Sequence, residues 1–143
     1  MPTSSRFAVA VHILTLMAVD RSAPQTSEYL AESAKTNPAV IRRLLGALSK
    51  AGLTVSKLGK GGGSTLARGP KKITLLDIYQ AVEEPGLVAM PRMPPDDGCT
   101  VGRHIQTSLI AVANSAEQAF LGRLAEVSLK QIVREIAAAN AAT

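Results

Sequence analysis

Residues 33–76 read SAKTNPAVIRRLLGALSKAGLTVSKLGKGGGSTLARGPKKITLL, and they hold nine Lys or Arg without one Asp or Glu. Asn37 is a favoured helix N-cap and Pro38 suits the first helical position, so a helix begins there and runs to Lys50. Ile41, Leu44, Leu45 and Leu48 follow the i, i+3, i+4, i+7 pattern of a buried stripe. The opposite face is then Ala39, Arg43, Gly46 and Lys50, flanked by Arg42 and Ala47. Small residues alternate there with long cations, so the helix backbone can approach a groove while the cations reach outward. Ala51-Gly52 ends the helix. Residues 54–57 and 64–68 bracket the Gly-rich turn 59–63 and are too short for anything but a hairpin, which Gly69-Pro70 stops. A helix followed by a basic two-stranded hairpin is the plan of a winged helix-turn-helix.

The flanking segments agree. Residues 6–20 read as a helix with Phe7, Val11, Leu14 and Ala18 apolar and little charge elsewhere, which places it between other elements. After a turn at 21–25, Thr26 caps a short helix, 27–34, that buries Leu30 and Ala31. About three residues separate it from the helix at 37–50, the spacing of a helix-turn-helix. Downstream, Thr74 with Asp77 forms an acidic capping box that opens a helix to about Glu83. Residues 84–98 contain four prolines and two glycines and read as loop. Two further helices are expected, 101–113 and, capped by Ser115 with Gln118, a second ending near 137. Its apolar set, Phe120, Leu121, Leu124, Leu129, Ile132, Val133 and Ile136, is too broad for one neighbour, so it is expected to pack on its own domain and on a second subunit.

The fold class is therefore mainly α with a small β wing. Residues 1–83 form the winged helix-turn-helix domain, 84–100 a Pro-rich effector or linker loop, 101–138 the dimerisation helices and 139–143 a frayed tail.

Composition fits a polyanion partner. Of the 143 residues, 46% are hydrophobic but only 3% aromatic, with no Trp, which suggests helices packed through Leu, Val, Ile and Ala. Residues 1–82 carry 11 Lys/Arg and 4 Asp/Glu, a net of +7. Residues 83–143 carry 5 and 7, a net of −2. Such segregation points to a polyanion as the partner of the first half. The lone cysteine, Cys99, excludes an intramolecular disulfide and a four-cysteine zinc site. No apolar run reaches membrane-spanning length, and the apolar stretch 7–19 lacks a basic leader and a cleavage site, so a cytoplasmic protein without membrane contact is expected.

Tyr29-Leu30-Ala31, Leu44-Leu45-Gly46-Ala47-Leu48, Ala51-Gly52-Leu53, Gly59-Lys60-Gly61-Gly62-Gly63 and Ile73-Thr74-Leu75-Leu76-Asp77-Ile78 occur here in order. Together they resemble the Rrf-two (Rrf2) family of bacterial winged-helix regulators, over most of the chain. The resemblance implies a homodimer with crossed C-terminal helices and the function of a repressor. Two departures stand out. Cluster-binding members place three cysteines before the dimerisation helix, whereas this chain has only Cys99, so no iron–sulfur cluster or other cofactor is expected and the chain looks like the cluster-free branch. Those members also put an arginine just before the Gly-rich turn, where this chain has Leu58, leaving minor-groove work to Lys57 or Lys60.

The expected DNA contacts are Arg6, Thr26, Asn37, Ala39, Arg42, Arg43, Lys50, Lys57, Lys60, Gly61 and Gly62. Either Arg42 or Arg43 can pair both acceptors of a guanine, and wing glycines let backbone approach a phosphate. The operator is expected to be double-stranded and palindromic. The expected dimer residues are Phe120, Leu121, Leu124, Leu129, Ile132 and Ile136. The Gly-rich turn is no phosphate loop, because Lys60 precedes the glycine run and Ser64 opens an extended segment. Asp96, Asp97, Cys99 and His104 match no standard metal spacing. His12, on a mostly apolar helix, is expected to be a hydrogen-bonded core or interface residue. Cys99 is either a small buried side chain or a thiol sensor, since Arg103 and an expected helix N-terminus adjoin it. A small-molecule or redox effector remains open. No Gly-x-Ser-x-Gly, His-Glu-x-x-His or nucleophile–base pairing is present, so an enzyme is not expected. The competing class is a winged helix that binds protein through its C-terminal apolar surface without sequence-specific DNA binding.

Overall fold

A computed structural model describes residues 4–143. Helix α1 spans Arg6–Val19, α2 Ser27–Ala34 and α3 Pro38–Lys50. Strands β1, Thr54–Lys57, and β2, Gly63–Leu66, pair antiparallel with Thr54 opposite Leu66 and Lys57 opposite Gly63. A 3-10 turn, Pro70–Lys72, leads to α4, Leu75–Val82, and then come α5, Thr100–Ala125, and α6, Leu129–Ala141.

The caps act where their residue types foretell. The Thr26 hydroxyl accepts the Tyr29 amide at 3.1 Å, and the Asn37 carboxamide oxygen accepts the amides of Ala39 and Val40 at 2.8 and 3.3 Å. Lys35 closes α2 in the left-handed region, φ 56°, a conformation disfavoured for a residue with a Cβ that turns the chain sharply into α3. Thr74 and Asp77 complete a reciprocal capping box at α4.

Ile13, Leu14 and Met17 of α1, Leu30 of α2, Ile41 and Leu48 of α3, and Leu53, Ile73 and Ile78 form one buried core. All four residues of the expected α3 stripe lie in it. In α1 the core face is Ala10, Ile13, Leu14 and Met17; Phe7 and Val11 are only half-buried, Phe7 edge-on against Tyr79 of α4 and Val11 on the side of α1 that faces α6.

The C-terminal third departs from expectation in three ways. Helix α5 runs through residues 113–115 without a break. No Gly or Pro interrupts that Ala-rich stretch, and Ser115 has no chain end to cap. The break falls at residues 126–128, where Ser128 accepts the Gln131 amide at 3.2 Å and caps α6. Its cause is a long-range pairing: the Leu75 amide donates to the Val127 carbonyl at 2.9 Å and the Leu129 amide to the Ile73 carbonyl at 2.8 Å. Second, Leu129 is fully buried in this core, so it cannot serve a dimer surface. Third, α6 continues through residues 139–141, expected as frayed tail.

Candidate nucleic-acid interface

With its apolar stripe buried, α3 turns Ala39, Arg42, Arg43, Gly46 and Lys50 to solvent. Arg42 reaches across to Glu28 of α2 at 3.7 Å, both side chains mostly exposed, a pair of little energetic weight. Arg43 and Lys50 enter no ion pair among the described residues. Arg43 borders a cavity of about 390 Å³ with Arg6, Val40, Leu44, Ala47 and Val82. Arg6 is held at its edge by Glu83 at 3.5 Å, and Glu83 also accepts the Phe7 amide at 3.3 Å. The N-terminus of α1, the start of the α4–α5 loop and the outer face of α3 therefore adjoin.

The other expected contact residues divide by what their polar atoms already do. Thr26 and Asn37 are exposed, but their side-chain oxygens are committed to capping. Only the hydroxyl proton and the carboxamide NH2 remain for a ligand. In the hairpin, Lys57, Lys60 and Gly61 are exposed, and neither lysine is ion-paired among the described residues. The Gly62 N–H is taken within the turn: it donates to the Gly59 carbonyl at 3.0 Å. Glycine is needed there because a Cβ would collide with the Lys57 carbonyl. Gly61 holds φ +77°.

One brace is not legible in the sequence. Gln25, in the turn after α1, pairs with Ser64 through two backbone hydrogen bonds of 2.9 and 2.8 Å, fixing the hairpin to the helical body. A Cβ at Gly63 would meet the Gln25 backbone, so the triple glycine serves this close approach. Beside it, bonds from the Ser22 hydroxyl and amide hold the Asp20 carboxyl below its ordinary range.

The expected dimer residues do not share one surface. Phe120 sits edge-on to Tyr79, centroids 5.2 Å apart, and Tyr79 edge-on to Phe7 at 5.4 Å. Phe120 thus fastens α5 to α4 and α1, and Leu121 lies half-buried beside Tyr79. Leu124 is also half-buried. Ile132 and Ile136 border an apolar groove of about 470 Å³ against α1, with Val11, His12 and Leu16. His12 bonds the Ser33 hydroxyl at 3.0 Å. The widest uncovered stripe lies instead in the first half of α5: Val101, Ile105, Leu109 and Val112 are 65, 45, 43 and 66% exposed. Their 4, 4, 3 spacing puts them on one helix face, a signal present in the sequence.

Cys99 is exposed at the N-cap of α5. The Arg103 guanidinium turns to the Thr100 hydroxyl at 3.3 Å. Among the described residues no three His, Cys, Asp or Glu converge as metal ligands, and no helix is long and apolar enough to cross a membrane.

Comparison with known proteins agrees with this architecture. The family model described as "Rrf2: Iron-dependent Transcriptional regulator" matches residues 3–135. The HTH-type transcriptional regulator YwnA of Bacillus subtilis (strain 168) is 37% identical over 133 residues, covering 93% of this chain and 98% of its own. A crystal structure of a DNA-binding protein superposes with a TM-score of 0.72 at 37% identity, over 90% of this chain and 98% of that one. A transcriptional regulator from Lactobacillus plantarum shares the fold at TM-score 0.80 and 23% identity, over 92% and 89% of the two chains. A thiolate-held iron–sulfur cluster does not fit this donor set. Iron–sulfur clusters are held by several thiolates, and one exposed cysteine is all this chain offers.

Proposed function

As the chain belongs to the Rrf2 family of transcriptional regulators, which are not enzymes, we propose that it is a bacterial cytoplasmic repressor that binds a palindromic DNA operator as a homodimer. The observation that carries this reading is the exposed α3 face, where Arg43 and Lys50 stand without ion-pair partners among the described residues. Helix α3 enters the major groove. Arg43 is free to take both acceptors of a guanine, while Arg42, Lys57 and Lys60 neutralise phosphates, which positions the protein without reading sequence.

Dimerisation follows from α5. Its first half exposes an apolar stripe that a soluble monomer seldom leaves uncovered, and crossing α5 helices of two copies would cover it. Two copies of α3 then address half-sites about 10 bp apart, or a multiple, on one face of the duplex. The protein works without an iron–sulfur cluster. Control is assigned to the α4–α5 loop, where modification of the exposed Cys99 thiol at the foot of α5 would favour one spacing of the recognition helices over another.

The test is retention of fragments from a pool of random duplexes, at two salt concentrations. Enrichment of a two-fold symmetric sequence, with affinity falling steeply as salt rises, is the expected result. No enrichment and no salt dependence would favour the protein-binding class of winged helix.

A further inference from the structure

We propose that Leu58, at the tip of the wing, is an apolar wedge for the DNA minor groove. Leu58 is 92% exposed, more than any other large apolar side chain among the described residues. Such exposure forfeits the gain of burial, and the surroundings here are specific. Lys57 precedes Leu58 and Lys60 follows two positions later, and neither is ion-paired among the described residues. The turn beyond it is glycine at 59, 61, 62 and 63, so no side chain but that of Lys60 rises between the leucine and a ligand. The turn also has a defined course. Gly59 and Gly61 hold φ +88° and +77°, Gly62 lies under the Lys57 carbonyl, and the Gln25–Ser64 bridge ties the second strand to the helical body close to the turn. An apolar side chain set between two cations fits one partner chemistry: an apolar slot with anions on both rims.

The minor groove is that slot. Its walls are sugar C–H surfaces and its rims are phosphates. Only residues 51–53 separate α3 from β1. Strands of four residues reach about 13 Å, close to the roughly 17 Å of half a helical turn between neighbouring grooves. With α3 in the major groove, the wing tip meets the next minor groove outside each half-site. Leucine is among the side chains that unstack base steps from this side, and pyrimidine–purine steps deform most readily. Leu58 thus sets a preference for flexible steps in the operator flanks, at positions where no hydrogen bond reads a base.

This inference rests on the DNA-binding reading above, and the experiment separates the two. Duplexes enriched from a random pool by the full-length wild type would carry 2-aminopurine at successive flanking positions. The wild type is expected to raise fluorescence at one step outside each half-site, and to prefer a TA step there over an A-tract. Leu58→Ala should lose the fluorescence rise and that preference, binding flexible-flank duplexes roughly tenfold more weakly, whereas Leu58→Met should keep both. Identical fluorescence and flank preference for wild type and Leu58→Ala would overturn the wedge and leave the DNA-binding reading standing. That would also be the outcome if Leu58 met a protein partner. A wild type that enriches no duplex would overturn both.

Discussion

Arg42 and Arg43 are neighbours in sequence with different electrostatic company. Arg42 leans on Glu28, whereas Arg43 has no carboxylate beside it among the described residues. Arg43→Ala should therefore cost about 1–3 kcal/mol of operator discrimination per half-site. Lys60→Ala should weaken specific and random DNA alike and lower the salt slope by about one. Anisotropy titrations over a range of salt read both effects, and equal loss of specificity in the two variants would reverse the assignment. Gly62→Ala places a methyl against the Lys57 carbonyl, so the turn must move. A destabilisation of about 1–3 kcal/mol is expected for such backbone strain, read by chemical denaturation. The cations were legible as a face because the apolar period of α3 fixes what points out. That the Gly62 N–H is consumed within the turn was not, since no local rule says which donor of a glycine run is free.

Along the elements, legibility followed the range of the forces. Asn37-Pro38 and Thr74 with Asp77 mark helix starts through bonds three residues long, and the structure has those helices where they were expected. The α5–α6 break was missed because it depends on residues 127–129 pairing with residues 73–75, some fifty positions away, and Ser115 mimics a cap. The same pairing draws Leu129 into the core, while Val101, Ile105, Leu109 and Val112 stay uncovered. Two substitutions should then behave in opposite ways. Leu129→Ala should cost about 2–5 kcal/mol of stability, as a core truncation does. Ile105→Glu should leave the unfolding of the helical body nearly unchanged and shift sedimentation from dimer to monomer. A stable wild-type monomer at micromolar concentration would contradict the role given to α5.

In the whole molecule, α5 meets α4 through Phe120 and Leu121 beside Tyr79, which itself packs on Phe7 of α1, and Glu117 accepts the Gly86 amide of the α4–α5 loop at 2.8 Å. Arg6, which Glu83 holds, lies at the other end of this path and lines a cavity together with Arg43. A change carried along α5 to Phe120 thus has a packed route towards the recognition helix. Cys99→Ser is expected to bind operator as wild type does but to ignore peroxide, whereas identical release of both proteins under oxidant would make the thiol structural. The decisive measurement is footprinting of an enriched duplex by wild type and Arg43→Ala at fixed salt. Two protected half-sites, centred about 10 bp apart or a multiple of that, are predicted for the wild type, with the pattern dissolving into uniform weak protection in the variant. A single asymmetric site occupied by a monomer, or an unchanged footprint for Arg43→Ala, would contradict a two-fold reader built on α3.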